Sequence, residues 1–370
     1  MRVFADFESA NIVRPRVEGS TIRFRAKSHG SPNPLWFYFR VDDLPDQRVT
    51  LVLENAAQCL GGLQSFAVVR PVVSLDNRNW QRVTCGAIDK SKGTFIFQHQ
   101  FSNPSAFIAF SYPYGLNTLE NYLAQLRKRK NTGVKVLARS PGGRPVYHIT
   151  IGRSISASYN VWICARNHAG ETPPSYVLEG LLNWSTSSRE DYASWMRKNL
   201  WLNVIPMVDV DGVVEGAYGK RRPPADYGES WSDDSPYDSV RAILQAIEES
   251  STKVPYSLFI DIHSPTPKDG HYCYAVEPEY SSKHYRRDLS RFCQILSHHA
   301  PQDSPFPPNS VRYLREGCQY TFHNQYLTYG VLALCLEISY HQTDSGDYVT
   351  PDSLRRFGAS LGKAIVEFLR

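Results

Sequence analysis

The chain has 370 residues, of which 42% are hydrophobic and 21% charged, and its formal net charge is +5. This composition is typical of a globular protein long enough for two domains, and it excludes a disordered chain. The small positive charge is spread along the chain, so we expect no nucleic-acid partner, which would need clustered Lys and Arg. No apolar run approaches ~18 residues, and the N-terminal MRVFADFESANIV lacks the apolar core of a signal peptide, so we also expect no membrane partner.

The cysteines predict free thiols rather than disulfide bonds. Their number is odd, no two have CxxC spacing, and several lie in apolar runs. The seven are Cys59, Cys85, Cys164, Cys273, Cys293, Cys318 and Cys335. Buried thiols are typical of a reducing compartment, so the sequence predicts a cytoplasmic protein.

The sequence pattern changes near residue 112. Residues 1–110 contain short runs rich in Val, Phe, Tyr and Thr, such as TIRFRA and LWFYFRV, separated by Pro, Gly, Asn and Asp. This pattern predicts an N-terminal antiparallel β-sandwich over residues 1–112. From LNTLENYLAQLRKR onward, amphipathic helices alternate with apolar strands such as YNVWICAR and YSLFIDIH. This alternation predicts an α/β domain with a mainly parallel or mixed sheet over residues 113–370.

A possible metal site begins directly after the strand VWIC. His168 and Glu171 lie three residues apart in a turn between this strand and a predicted helix. His263 ends the later strand SLFIDIH, at the carboxyl edge where α/β sheets place their sites. An imidazole, a carboxylate and a second imidazole are the ligand types of catalytic zinc, so we expect one Zn²⁺ per chain. Asp261 could orient a ligating histidine by accepting a hydrogen bond from its other ring nitrogen.

Glu337 is the candidate catalytic residue. It ends the apolar run VLALCLE, so its carboxylate emerges from a buried strand. Beside a zinc site, such a glutamate can take a proton from water and pass it to a leaving amine. The alternatives are that the HxxE spacing is accidental, with both histidines satisfied by local hydrogen bonds, and that Glu337 only pairs with an arginine.

Several segments resemble the M14 (carboxypeptidase A-like) zinc metallopeptidase family, in particular its cytosolic carboxypeptidase branch. ARNHAGET resembles the family's ARxHPGET segment, FIDIH the FxDLH strand, and LCLEISY the TLE strand with the catalytic glutamate. IPMVDVDGVVEG resembles IPMLNPDGVxxG, and LWFYFRV and SYPYGLN resemble N-terminal segments of cytosolic members. The resemblance implies a β-sandwich followed by a mixed eight-stranded α/β/α zinc-hydrolase domain. It also implies His168, Glu171 and His263 as zinc ligands and Glu337 as general base.

The resemblance fails where the family binds the terminal carboxylate of its substrate. Family enzymes use an arginine and an Asn-Arg pair, but the aligned positions here are Gly219, Gly228 and Glu229. Glu229 would repel a carboxylate and suit a cationic group.

Nearby cations could replace the missing carboxylate clamp. Lys220, Arg221 and Arg222 could turn inward, or they could form a solvated loop. Arg166, two residues before His168, is a further substrate-binding candidate. The family's catalytic-loop tyrosine has three possible counterparts here, which are Tyr313, Tyr320 and Tyr326.

The sequence therefore predicts a zinc-dependent hydrolase that cleaves a peptide or related amide bond, with an altered carboxylate-recognition pocket. One alternative keeps this chemistry but acts on a small molecule, as a deacylase, amidase or esterase. Another is a catalytically inactive protein that binds a partner through its β-sandwich and inactive cleft. The substrate is a peptide or a small-molecule amide, and the oligomeric state is not predicted.

Overall fold

The fold is described from a computed structural model, in which residues 1–314 and 320–370 are described. Cys318 therefore lies outside the described residues. The other six cysteines are all free, and five of them are buried. In the described part of the chain, no helix is both long enough and apolar enough to cross a membrane.

The first ten strands form two five-stranded sheets. Strands β1–β10 are Arg2–Phe4, Val13–Glu18, Thr21–Arg25, Tyr38–Asp42, Arg48–Leu53, Val72–Ser74, Trp80–Arg82, Ala87–Asp89, Thr94–Gln100 and Ser105–Ala109. One sheet has the order β1-β4-β10-β6-β7 and is antiparallel throughout. The other has the order β2-β3-β5-β9-β8, in which only β3 and β5 pair in parallel. Short 3-10 helices at Ala56–Gln58 and Leu63–Ala67 lie between β5 and β6.

These two sheets pack face to face through aromatic side chains. Along β3 the buried residues alternate with partly exposed ones, so Ile22 and Phe24 point to the same side. The ring of Phe24 lies 4.9 Å from that of Phe39 on β4, which belongs to the other sheet. The N-terminal part is therefore the sandwich that the sequence predicts, with a core of aromatic and β-branched residues.

The described residues from 113 onward form one mixed sheet with eight α-helices. Strands β11–β18 are Thr132–Arg139, Pro145–Ile151, Tyr159–Ala165, Leu200–Ile205, Tyr256–His263, Tyr272–Val276, Val311–Leu314 and Leu332–Glu337. Helices α1–α8 are Leu116–Leu126, Pro173–Ser187, Asp191–Asn199, Val210–Glu215, Asp238–Ser251, Lys283–His299, Thr321–Tyr329 and Pro351–Leu369, and a 3-10 turn covers Tyr227–Glu229. The eight strands have the order β11-β12-β14-β13-β15-β18-β16-β17. The predicted fold class is confirmed.

The centre of this sheet brings three strand ends to one edge. Strands β13, β15 and β18 run parallel to one another and are buried along nearly their whole length. Their register places His263 directly opposite Glu337. The loop that carries His168 and Glu171 follows β13 at the same edge. The division at residues 112 and 113 stays a prediction; β10 ends at Ala109 and α1 begins at Leu116.

Candidate metal centre and active site

Three side chains converge at the carboxyl edge of the sheet. The Nδ1 atom of His168 lies 2.7 Å from Oε1 of Glu171, and Nδ1 of His263 lies 2.9 Å from Oε2 of the same carboxylate. The two Nδ1 atoms are 3.1 Å apart. Among the described residues, these three form the one group of His, Cys, Asp or Glu whose ligand atoms could hold a metal ion, and all three are buried.

The second ring nitrogen of each histidine contacts a carboxylate. Nε2 of His263 lies 2.8 Å from Asp261, and Nε2 of His168 lies 3.0 Å from Asp226. When each Nε2 donates its proton to a carboxylate, each Nδ1 presents a lone pair toward the shared centre. This is the carboxylate–histidine arrangement that orients imidazole ligands in metal sites. The sequence predicts such a role for Asp261 but not for Asp226.

Further hydrogen bonds fix the position of Asp261. Its Oδ1 accepts from Asn167, whose own Oδ1 accepts from the indole of Trp231 at 3.2 Å. Its Oδ2 also accepts from Thr321 at the start of α7. The carboxylate that orients His263 is thus itself held by three elements of the fold.

The electrostatics of the centre require a positive charge between the donors. Burial lowers the pKa of His168, but the carboxylates of Glu171 and Asp226 outweigh this effect and raise it to about 9. The pKa of Glu171 is depressed despite burial, because both imidazoliums lie against it. Either protons or a cation can therefore neutralise this cluster. Two imidazoles and one carboxylate are a known ligand set for catalytic zinc, so the residues present fit that ion.

Glu337 lies beside this cluster with part of its carboxylate free. The thiol of Cys335 donates to its Oε1 at 3.8 Å, whereas its Oε2 is buried and has no hydrogen-bond partner. Burial, together with the nearby charge of Glu171, raises the pKa of Glu337 to about 7. Buried polar atoms normally have partners, so an unpaired carboxylate oxygen here indicates a functional position.

The cluster opens into a cavity of about 90 Å³. His168, His263 and Glu337 line it on one side, and the aromatic rings of Tyr274 and Phe322 line it elsewhere.

The loop between β14 and α5 supplies the cavity's other charges. Glu229 and Lys220 both line the cavity. The neighbouring arginines do not line it. Arg221 is exposed, and Arg222 donates to the buried carboxylate of Asp209 at 2.7 Å. Of the three predicted cations, the structure brings only Lys220 to the site.

Arg166 does not have the placement that a substrate-binding residue needs. It is 2% exposed, and its guanidinium donates to the carbonyls of Ala169 and Tyr114 and to the hydroxyl of Ser175. All of these acceptors belong to the protein. The expectation that Arg166 binds substrate is therefore corrected: its donors are already used to fix the loop that precedes His168.

The three candidate tyrosines also differ in whether they line the cavity. Tyr320 lines the cavity, whereas Tyr313 is 45% exposed and does not. The hydroxyl of Tyr326 accepts from the backbone N–H of Ser282, away from the site. Tyr274 also lines the cavity and was missed, because β16 carries no motif that distinguishes it from a packing residue.

Known protein families match both parts of the chain. Residues 3–111 match the cytosolic carboxypeptidase N-terminal domain, and residues 119–229 match zinc carboxypeptidase. The second match includes His168 and Glu171 and ends before His263 and Glu337.

Individual relatives extend this likeness over the whole chain. Cytosolic carboxypeptidase 6 of Mus musculus is 23% identical over 394 aligned positions, which cover 99% of this chain and 70% of that protein. The crystal structure of a metallo-carboxypeptidase from Burkholderia cenocepacia has a TM-score of 0.88 at 21% identity, covering 100% of this chain and 98% of the other. A metallo-carboxypeptidase from Pseudomonas aeruginosa, in complex with (2-guanidinoethylmercapto)succinic acid, has a TM-score of 0.84 at 21% identity, with full coverage of both chains.

At these identities, the structural likeness establishes the fold, and the family matches establish the kinship. The two matched segments lie in the order expected of cytosolic carboxypeptidases, with the β-sandwich first. The chain belongs to the M14 (carboxypeptidase A-like) zinc metallopeptidase family, resembles its cytosolic carboxypeptidase branch, and is a metallocarboxypeptidase-like hydrolase.

Proposed function

We propose that this protein is a zinc-dependent hydrolase that cleaves a peptide or related amide bond. His168, Glu171 and His263 hold one zinc ion, and Glu337 is the general base. The observation that carries this proposal is the free Oε2 of Glu337, buried beside three converging ligand atoms. The names of the cytosolic relatives and the free cysteines support a cytoplasmic location.

Zinc bound there would act as a Lewis acid that polarises the substrate carbonyl and favours deprotonation of water. Glu337 takes a proton from the attacking water as its oxygen bonds to the carbonyl carbon. Glu337 then gives this proton to the nitrogen as the C–N bond breaks, leaving a carboxylic acid and an amine. A pKa raised toward neutrality suits a group that both accepts and returns a proton.

The substrate pocket differs from a carboxylate-binding pocket. Glu229 lines the cavity at the position aligned with a family arginine, and no residue in the described part of the chain forms an ion pair with it. A substrate carboxylate next to Glu229 would place two like charges side by side, and Lys220, which lines the same cavity, would have to offset both. We therefore expect the substrate to carry a neutral or cationic group at this position.

Paired substrates test this specificity. Hydrolysis of blocked acyl-amino acids should be compared with that of their C-terminal amides, for several side chains, in the parent protein and in Glu229→Gln. We expect the amide or a cationic analogue to be preferred, and Glu229→Gln to weaken that preference. A strong preference for the free acid that disappears in Lys220→Ala would instead show that Lys220 rebuilds a carboxylate clamp.

The altered pocket favours one variant of this function. Glu229 lines the cavity where family enzymes bind a terminal carboxylate, so a small-molecule amide or ester without such a carboxylate is the second candidate substrate. A panel of N-acyl amines and acyl esters distinguishes it from peptides: turnover of the panel without peptide turnover would select the small-molecule activity.

A further inference from the structure

Lys220 brings a positive charge into the cavity of the candidate site. Its side chain lines the cavity together with His168, His263 and Glu337. In the described part of the chain it forms no ion pair, although Arg222 nearby is paired with Asp209. A lysine side chain has an ordinary pKa of about 10.4, so its ammonium is charged at neutral pH.

The residue before Lys220 packs closely against the loop that carries His168. Gly219 has φ +104°, and a Cβ atom there would lie 2.5 Å from the backbone nitrogen of Ala169. Position 219 therefore cannot carry any side chain in this conformation, and the next residue supplies the cation.

Contacts on both sides of Lys220 hold the loop in place. The hydroxyl of Ser31, in the N-terminal part of the chain, donates to the carbonyl of Lys220. The backbone N–H of Arg221 donates to Asp226 at 2.6 Å, the same carboxylate that orients His168. The position of Lys220 is thus linked directly to that of a proposed metal ligand.

An ammonium group that has no ion pair among the described residues can interact with a negative charge that forms only during the reaction. When water adds to an amide carbonyl, the π electrons move to the acyl oxygen, which becomes negatively charged. Preorganised cations and donors aimed at such an oxygen lower the barrier more than they strengthen substrate binding. A residue that served only to hold a ground-state carboxylate would strengthen binding instead.

We propose that Lys220 is a catalytic residue whose ammonium stabilises the negative charge that develops on the acyl oxygen. This role rests on the proposed hydrolase function. Lys220 keeps its protons throughout, while Glu337 carries the proton from water to the leaving nitrogen. The charge on the oxygen disappears when the carbonyl re-forms and the C–N bond breaks.

Two adjacent substitutions test the role. Lys220→Gln and Arg221→Gln each remove one positive charge, but only Lys220 faces the cavity. We expect Lys220→Gln to lower kcat by about 10²–10³-fold on both the blocked acid and its amide, with little change in KM and unchanged zinc content. Arg221→Gln should behave like the parent, and Lys220→Arg should recover part of the rate. A rise in KM for the acid alone, with kcat preserved, would overturn the proposal and make Lys220 a carboxylate clamp.

A binding measurement gives a readout that does not depend on turnover. A phosphinic analogue of the blocked dipeptide amide carries a tetrahedral anion at the reacting centre. By calorimetry, Lys220→Gln should weaken its binding at least about 30-fold, whereas binding of the uncleaved amide to the Glu337→Gln background should change less than about threefold. Equal weakening of both would contradict a role specific to the developing charge. If the parent cleaves no amide or ester but the phosphinic analogue still loses affinity, the proposed function fails while the charge-stabilising position of Lys220 stands.

Discussion

At the scale of single residues, the free oxygen of Glu337 makes the clearest prediction. Glu337→Gln keeps the size of the side chain but removes its ability to take a proton. We expect a loss of turnover of at least about 10²-fold, within the range for general-base catalysis. Because Glu337 is not a proposed ligand, zinc content should stay at the parent level, and so should the thermal unfolding midpoint. Steady-state kinetics and metal analysis on the same preparation check both points. Turnover at the parent rate would place the base elsewhere.

The ligand residues could be predicted from the sequence because each follows a recognisable apolar strand. His263 and Glu337 end such strands, and His168 and Glu171 lie just after one. Asp226 could not be predicted in this way, since it lies in a loop 58 residues from the histidine that it orients. A carboxylate in a loop has no periodic pattern, and only its contact with His168 reveals its role.

The placement of the three adjacent cations could not be predicted from the sequence either. Lys220, Arg221 and Arg222 are indistinguishable in sequence, yet one faces the cavity, one faces solvent and one is bound to Asp209. The buried pairing fixes Arg222, and Gly219, whose φ is positive, has no room for a side chain beside Lys220. Neither can be read from residue types alone.

At the scale of elements, the Asp209–Arg222 pair anchors the loop that carries Lys220 and Asp226. Asp209 caps α4 by accepting from Gly212 and is completely buried, while the Arg222 side chain is 15% exposed. Arg222→Gln would leave a buried carboxylate without its partner. Loss of one member of such a pair costs about 3 kcal/mol of unfolding free energy, and we expect this loss together with a lower kcat.

The loss of stability caused by Arg222→Gln should depend on pH, because Asp209 titrates. Burial already raises its pKa to about 6, although Arg222 acts to lower it. Without Arg222 the pKa rises further above its value in the unfolded chain, so protonation relieves the penalty at low pH. The destabilisation should therefore be greater at pH 8 than at pH 5 in urea unfolding. Arg221→Gln is the matched control, and equal stability of both variants at pH 8 would refute the anchoring role.

Some elements were not predicted although their pattern was present. Helix α6 buries Tyr285, Leu289, Phe292 and Leu296, which have helical spacing within a polar segment. Long apolar runs mark the strands at the centre of the sheet, whereas β17 at its edge and the adjacent β16 are short and follow no motif. Edge strands with partly exposed side chains resemble loops when only the sequence is considered.

At the scale of the whole molecule, the β-sandwich contributes to the loop that shapes the site. Asn11 donates to the carbonyl of Gly216, and Ser31 donates to that of Lys220. Arg82 donates to the carbonyl of Val349, which lies just before α8. Sequence analysis predicted the order of the two parts but not these contacts, because they join residues far apart in the chain. The sandwich is thus part of what fixes the candidate active site.

The proposed function depends most on a zinc site formed by His168, Glu171 and His263. The direct measurement is the zinc content of the purified parent protein and of the His168→Ala, His263→Ala double variant, with Arg221→Gln as a folded control. We predict about one zinc per chain in the parent and the control and none in the double variant, since one remaining carboxylate cannot hold the ion tightly. Zinc that persists at one per chain in the double variant would contradict the assignment.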